Sequence, residues 1–330
     1  MANAGHLALL KQGVPTWNDW CQTNFRIIPD LEGANLKQSN LREINLCNAH
    51  LSRAMLSHGD LSMANLEGAN LGIAYLEEAT LYTAVLYRAN LREANLYRAD
   101  LREADLSQVD LSMANLREAN LCTALLEGAT LYTAMLYKAN LWEASLYKAD
   151  LREADFSMAN LREANLSMTN LSMANLCMAN LVGATLYAAQ AQGANLSLAN
   201  LCMANLISAN LQKANLVSAT LIGANLYKTN LTAANLREAD LREVTLSLAN
   251  LQEGNLHGTN LCRANLRETN LQGANLSLAN LREANLHKAN LQGANLRGAD
   301  LRGACLREAI LPDGFVCDHH TNDHRDQRNR

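Results

Sequence analysis

The sequence predicts an all-β solenoid, a chain wound into stacked coils around one continuous apolar core. Three observations carry that prediction. Leucine occupies 55 of the 57 positions spaced five apart from Leu31 to Leu311, the exceptions being Phe156 and Ala191. Alanine dominates two positions before each leucine and asparagine or aspartate one before it, as in Ala94-Asn95-Leu96-Tyr97-Arg98. A period of five, finally, suits neither regular element. Five residues of α-helix turn through about 500°, so successive leucines would step about 140° round the axis and form no stripe. In a straight strand the odd spacing would place successive leucines on opposite faces. A corner every five residues removes the conflict. Alanine and leucine, two apart, then face inward from one short extended side while polar residues face out. Coils stack at about 4.8 Å, and a core of this kind forms only between neighbours, so many repeats are needed.

Residues 1–30 precede the period and hold two of the three tryptophans. Ala4 to Gln12 reads as a short helix, stopped by Gly13 and Pro15. Thr16 is placed to cap a second short helix carrying Trp17, Trp20 and Phe25. The first coil has an open apolar end, and solenoids cover such ends. Trp17, Trp20 and Phe25 are therefore candidate cap residues, the alternative being a docking element that tethers the rod. Met1-Ala2-Asn3-Ala4-Gly5-His6 lacks a basic region before an apolar core, so no secretory signal is read there. No apolar run approaches membrane-spanning length. The expected location is the cytoplasm.

Residues 31–315 form the rod. Leucine fills the tube axis, and the small alanine beside it leaves room. Asparagine and aspartate hydrogen-bond local backbone, which suits corners. The run Ala-(Asn/Asp)-Leu-X-X through residues 31–311 resembles the pentapeptide repeat family. That resemblance implies a right-handed quadrilateral β-helix with four repeats, or 20 residues, per coil. Applied to this chain it gives roughly 14 coils and a rod of roughly 65–70 Å. The segment 1–30 resembles the N-terminal extensions of other bacterial members, cyanobacterial ones especially. Ala191 removes a leucine-sized volume between Gln190 and Gln192, so a local kink or altered coil is expected there. Unfilled, such a loss costs about 2–5 kcal/mol.

Beyond Leu311, Pro312-Asp313-Gly314 ends the pattern with turn residues, and Phe315 and Val316 are placed to cover the last coil. Residues 316–330 read as a disordered polar tail. Its Cys317-Asp318-His319-His320 and His324 are ligand types, but their spacing matches no zinc pattern, and no metal or other cofactor is expected.

The formal net charge is −4. It resides in the rod, where Arg-Glu pairs such as Arg92-Glu93 and Arg282-Glu283 recur. These read as a self-neutralising solvated surface without the basic stripe that nucleic-acid binding requires. Duplex DNA carries one negative charge per about 1.7 Å, far denser than this rod. Imitation of DNA toward a type II topoisomerase, known from family members, is therefore a minor alternative. Eight cysteines occur without a CxxC. Cys122, Cys202 and Cys262 share a column but stand several coils apart, beyond disulfide reach, and free thiols are expected.

Catalysis needs a concave site where titratable groups converge. A regular rod offers none, and His50, His58, His257 and His287 fall on different corners, so no enzyme is expected. The informative deviation is an absence of charge: residues 164–227 contain only Lys213 among Asp, Glu, Lys and Arg. With residues 20 apart in one outward column, Cys177, Ser197 and Val217 align beside Met158, Met178 and Leu198. Val182, Cys202 and Ile222 align beside Met203, and a third column runs through Tyr187, Ile207 and Tyr227. An extended apolar surface depleted of charge fits a protein partner or a second copy; the competing reading is drift in a repeat array. The leading expectation is a non-catalytic scaffold presenting side chains to protein partners. A structural spacer tethered through its tryptophan-bearing end is the remaining alternative.

Overall fold

A computed structural model describes residues 2–317. Two short helices, α1 (Ala4–Leu10) and α2 (Val14–Thr23), precede the repeats. The rest is a solenoid. Parallel bridges pair each asparagine-position residue with the one 20 further on, without a break from Asp30↔His50 to Asn290↔Ile310. A coil is therefore four five-residue units, and the rod is four-sided. No side is long enough for a continuous strand: each contributes one bridging residue between turns. The extended side expected from the sequence is thus as short as a β-ladder permits, because the corner consumes the two variable positions.

One repeat shows why the pattern holds. Leu96 N–H donates to Asn115 O at 2.7 Å and Arg98 N–H to Arg117 O at 3.0 Å, both toward the next coil. Asn95 N–H donates to Ala74 O of the previous coil at 2.9 Å, and Ala99 N–H closes the turn on Leu96 O at 3.0 Å. The fifth donor, Tyr97 N–H, goes to Asn95 Oδ1 at 3.3 Å. All five backbone N–H groups are satisfied, as a buried backbone requires, and the last needs a short side chain with an acceptor before the leucine. Asparagine does more as well. Its Nδ2 donates to the asparagine or aspartate Oδ1 one coil back, as in Asn175 to Asp155, Asn195 to Asn175 and Asn215 to Asn195, at 2.9–3.1 Å.

Each corner carries a conformational cost. From Gly33 to Glu308, the second residue after every central position has φ between 53° and 73°, the sign a type II turn requires. Glycine takes this without strain, but most corners hold other residues, Ile73 and Thr83 among them, at about 1–2 kcal/mol each. The axis is packed by the leucines and alanines, nearly all fully buried. Phe156 is fully buried in a leucine place, and Ala191 is buried in another. The kink expected at Ala191 does not interrupt the ladder: Asn170↔Gln190 and Gln190↔Asn210 keep the 20-residue register. Backbone hydrogen bonds hold the register across this repeat, with Gln190 N–H donating to Thr169 O at 2.8 Å and Ala191 N–H to Asn210 O at 2.7 Å.

The helices start and stop differently from the sequence reading. α1 ends at Leu10 rather than Gln12. α2 begins at Val14, with Gly13 as N-cap at φ 107° and Pro15 in its first turn. Proline is well placed there because the first-turn N–H groups have no intrahelical acceptor. Thr16 is therefore inside α2 and not its cap. At the other end, Ile310 pairs antiparallel with Val316, and Cys317 N–H donates to Ala309 O at 2.9 Å. Val316 and Cys317 thus close a hairpin on the rod instead of beginning a tail. Phe315 and Val316 are themselves 73% and 56% exposed, so the cover expected of them does not form. The rest of the expected tail, from residue 318 on with its ligand-type histidines, falls outside the described residues.

Candidate interaction surface

The candidate residues occupy the outward columns. Corner residues directly after the leucine are half-buried, since their stems lie along the neighbouring coil: Cys177, Val182, Cys202, Ile207, Val217, Ile222 and Tyr227. Those one further on stand out at the positive-φ site. Met158 is 42% exposed, Met178 53%, Leu198 56% and Met203 69%; Tyr187, at the inner site, is 43% exposed. The ladder brings Cys177, Val217, Met178 and Leu198 onto one edge of the rod. Val182, Cys202, Ile222 and Met203 lie on the next, and Tyr187, Ile207 and Tyr227 on a third.

Met168 and Met173, at 44% and 65% exposed, extend the belt, Met168 on the third edge and Met173 on the fourth. The sequence reading missed both, although they stand inside the charge-free stretch in the same register as Met158 and Met178. The belt therefore encircles the rod. Its polar groups are largely bound to one another. Ser172 Oγ donates to Gln192 Oε1 at 3.0 Å, Gln192 Nε2 to Gln190 Oε1 at 3.0 Å, and Ser197 Oγ to Cys177 Sγ at 3.4 Å. The large exposed side chains left for solvent or a partner present thioether, alkyl and phenol.

At the N-terminus, α2 takes the place of a missing coil. Trp17 is fully buried, and its Nε1–H donates to Asn45 O at 2.7 Å. Asn18 accepts from Asn45 N–H at 2.8 Å through Oδ1 and donates to Glu43 O at 3.0 Å through Nδ2. Asn45 N–H and O are groups that a preceding coil would otherwise pair. Trp20 is partly buried against the core, its ring 5.5 Å from that of Trp17 and 5.0 Å from that of His6. His6 Nδ1 accepts from Asp30 N–H at 3.0 Å. Phe25 does not join them. It lies beyond the end of α2 and is 77% exposed, because the chain has already left the helix to enter the first coil.

Beside Phe25, a cavity of about 200 Å³ is lined by Cys21, Ile27, Ile28 and Cys47 among others. Burial is the main cause that raises the pKa of both thiols; the Glu67 carboxylate raises that of Cys47 further, and the neighbouring Cys47 thiol that of Cys21. Both therefore stay protonated at neutral pH, unsuited to nucleophilic work. All eight cysteines are free. No cluster of three or more His, Cys, Asp or Glu suited to a metal occurs among the described residues. No helix among them is long and apolar enough to cross a membrane.

Comparison with known proteins gave a match to the family model for pentapeptide repeats (8 copies), in overlapping windows from residues 30–68 to 274–311. A search of curated proteins gave no match. Among solved structures, HetL of the cyanobacterium Nostoc sp. strain PCC 7120, a pentapeptide repeat protein involved in heterocyst differentiation regulation, is 40% identical. The alignment covers 70% of this chain and 92% of HetL, with a TM-score of 0.31. Rfr23 of the cyanobacterium Cyanothece 51142, also a pentapeptide repeat protein, is 41% identical over 28% of this chain and 58% of its own, with a TM-score of 0.17. QnrB1, a plasmid-mediated fluoroquinolone resistance protein, is 22% identical over 55% of this chain and 83% of its own, with a TM-score of 0.26.

Proposed function

This chain belongs to the pentapeptide repeat family, and from that premise we propose that it is a non-catalytic scaffold whose charge-free belt binds a protein partner. Its coil is taken as right-handed, the sense the family resemblance implies, and residues 1–30 as the cap of the first coil. One observation carries the binding reading. Over residues 164–212 the rod offers Met168, Met173, Met178, Tyr187, Leu198 and Met203 to solvent, with no charged side chain between them. Desolvating such a surface costs less than desolvating charge, because it carries none and several of its amides are hydrogen-bonded to one another. Methionine lets it adapt to the shape it meets. Because the belt encircles the rod, a flat partner covers only part of it, and full coverage requires a partner that wraps.

The test is a quantitative pull-down from host lysate, comparing wild type with a Val182→Glu, Ile222→Arg double variant. These residues share one column two coils apart, with Cys202 between them, and both are half-buried at corners rather than in the core. The expected result is loss of specific partners with the β-type circular dichroism intact. An unchanged partner set in the folded variant rejects the belt as the binding surface.

A further inference from the structure

Two sides of the first coil are closed by groups that stand in for a missing coil. In the regular ladder a residue such as Asn95 gives its N–H to the coil before it and takes an N–H of that coil on its carbonyl. Asn45 has no such coil, and Asn18 and Trp17 of α2 serve both its groups. Asp30 is served by α1. Asn3 N–H donates to Asp30 O at 3.0 Å, and Asp30 N–H donates to His6 Nδ1 at 3.0 Å. The two closures differ in chemistry. The Asn18 amide and the Trp17 indole keep the same hydrogens at any ordinary pH, whereas an imidazole gains one in the physiological range.

The direction of the Asp30 bond fixes the state of the ring. A backbone N–H only donates, so Nδ1 presents its lone pair, and His6 is neutral with its hydrogen on Nε2. Protonation puts a hydrogen on Nδ1, opposite the Asp30 N–H. The acceptor is then gone, and two donors face each other at a half-buried position, where an N–H without a partner is costly. The ring also packs on the cap, its centroid 5.0 Å from that of Trp20 and 6.4 Å from that of Trp17. An imidazolium keeps some attraction to the Trp20 face, but that contact does not restore the acceptor. Helix α1 has seven residues, too few to hold its shape in water unaided, so its place depends on contacts such as this one.

We propose that His6 is an acid-sensitive latch: protonation releases Asp30 from α1 and loosens that side of the cap, while the closure by Trp17 and Asn18 stays in place. The released form binds one more proton, so the latch opens as pH falls, within the range of about 5 to 8 where histidine changes charge. Other titratable or charged groups stand on the elements packed against the ring. They are Asp19 and Cys21 of α2, Arg26 in the link, Asp30, Glu32 and His50 on the coil side, and Lys11 at the end of α1 itself. The Asp30 carboxylate accepts from Glu32 N–H at 3.1 Å through Oδ1, and Cys21 Sγ donates to Asn45 O at 3.6 Å. The Asp30 N–H itself goes to the His6 ring.

Amide hydrogen exchange of the full chain, followed by NMR from about pH 8 to about pH 5, is the test. Dividing each rate into the intrinsic rate at the same pH gives a protection factor free of the ordinary effect of hydroxide. In wild type the protection of Asp30 should fall about tenfold over that range, the factor that one lost hydrogen bond gives, while that of Asn45 stays constant. His6→Asn puts an amide oxygen at the place of Nδ1 and does not titrate, so Asp30 should stay protected throughout. His6→Leu removes the acceptor and should leave Asp30 poorly protected at every pH. The remaining titratable groups are unchanged in His6→Asn, so a pH dependence that persists there belongs to them and overturns the proposal. So does a wild type in which Asp30 protection is constant, or in which Asn45 loses protection in step with it. Those wild-type outcomes decide the matter if a variant fails to fold. The charge-free belt takes no part in the latch, so this proposal and the partner reading stand or fall separately.

Discussion

The two ends of the rod meet the same problem with opposite results. At the first coil, Leu31 is fully buried and Leu36 and Leu41 nearly so, beneath Trp17 and the hydrogen bonds of Asn18. At the last, Leu296, Leu301, Leu306 and Leu311 are only half-buried. Among the described residues, the N–H groups of Leu296 and Leu301 meet no acceptor, and the hairpin through Val316 closes one side alone. Identical repeats are thus rigid or loose according to what lies on them. A solenoid's stability is a sum of repeat and neighbour terms, so the end with fewer neighbours among the described residues is where unfolding is expected to start.

The sharpest way to break that comparison is to remove the apolar contact at each end in turn. Trp17→Ala should cost about 3–5 kcal/mol, the range for a buried large aromatic, with Asn45 O losing its donor besides. Leu301→Ala should cost under about 1–2 kcal/mol, because its side chain is already partly in water. Urea denaturation followed by circular dichroism gives both values. Equal costs would mean that α2 lies on the coil without stabilising it.

How much of this was readable beforehand follows from what each residue does. The leucine column and the alanine beside it fix the tube because inward volume has one answer at each place. Burial of Trp17 also follows from an apolar end that needs a cover. The positive φ at every second corner residue went unread, although Gly33, Gly183, Gly273 and Gly303 all sit there. Met173 and Ile73 hold the same place and mask the signal. Phe25 was misjudged because nothing local distinguishes an aromatic side chain covering the core from one just past a helix end. Of the belt, the column register was legible and its closure round the rod was not, since Met173 stands alone as a large apolar side chain of the belt on the fourth edge.

A smaller effect separates two asparagines. Asn18 stands in for a whole coil's edge, so Asn18→Ala should cost about 1–3 kcal/mol by stripping partners from Asn45 N–H and Glu43 O. Asn295 lies at the loose end, accepting from Arg297 N–H and donating to Asn275, both at 3.1 Å and exposed. Asn295→Ala should cost less than about 1 kcal/mol, since water replaces both partners. Native-state hydrogen exchange sharpens the contrast. The amide of Asn45 should exchange orders of magnitude more slowly than that of Leu301, and similar rates would show that the open end is held by something other than the described residues.

The smallest expected effect concerns Asp300 on the last coil. The Arg302 guanidinium, 2.6 Å away, is the main cause that lowers its carboxyl pKa to about 2. A carboxylate depressed in the folded state favours folding above its unfolded pKa, and that contribution disappears as pH falls through the folded value. The window therefore runs from about 4 down to about 2. The pair is exposed and contributes little to stability, so the carbon-13 chemical shift of the carboxyl group is the proper readout. Its midpoint should lie near 2 in wild type and move up toward the ordinary 3.8 in Arg302→Ala. A wild-type midpoint already at the ordinary value would mean that the Arg302 side chain moves freely at this loose end and spends little time on the carboxylate. Frayed motion would then extend from the half-exposed leucines to the surface pairs above them.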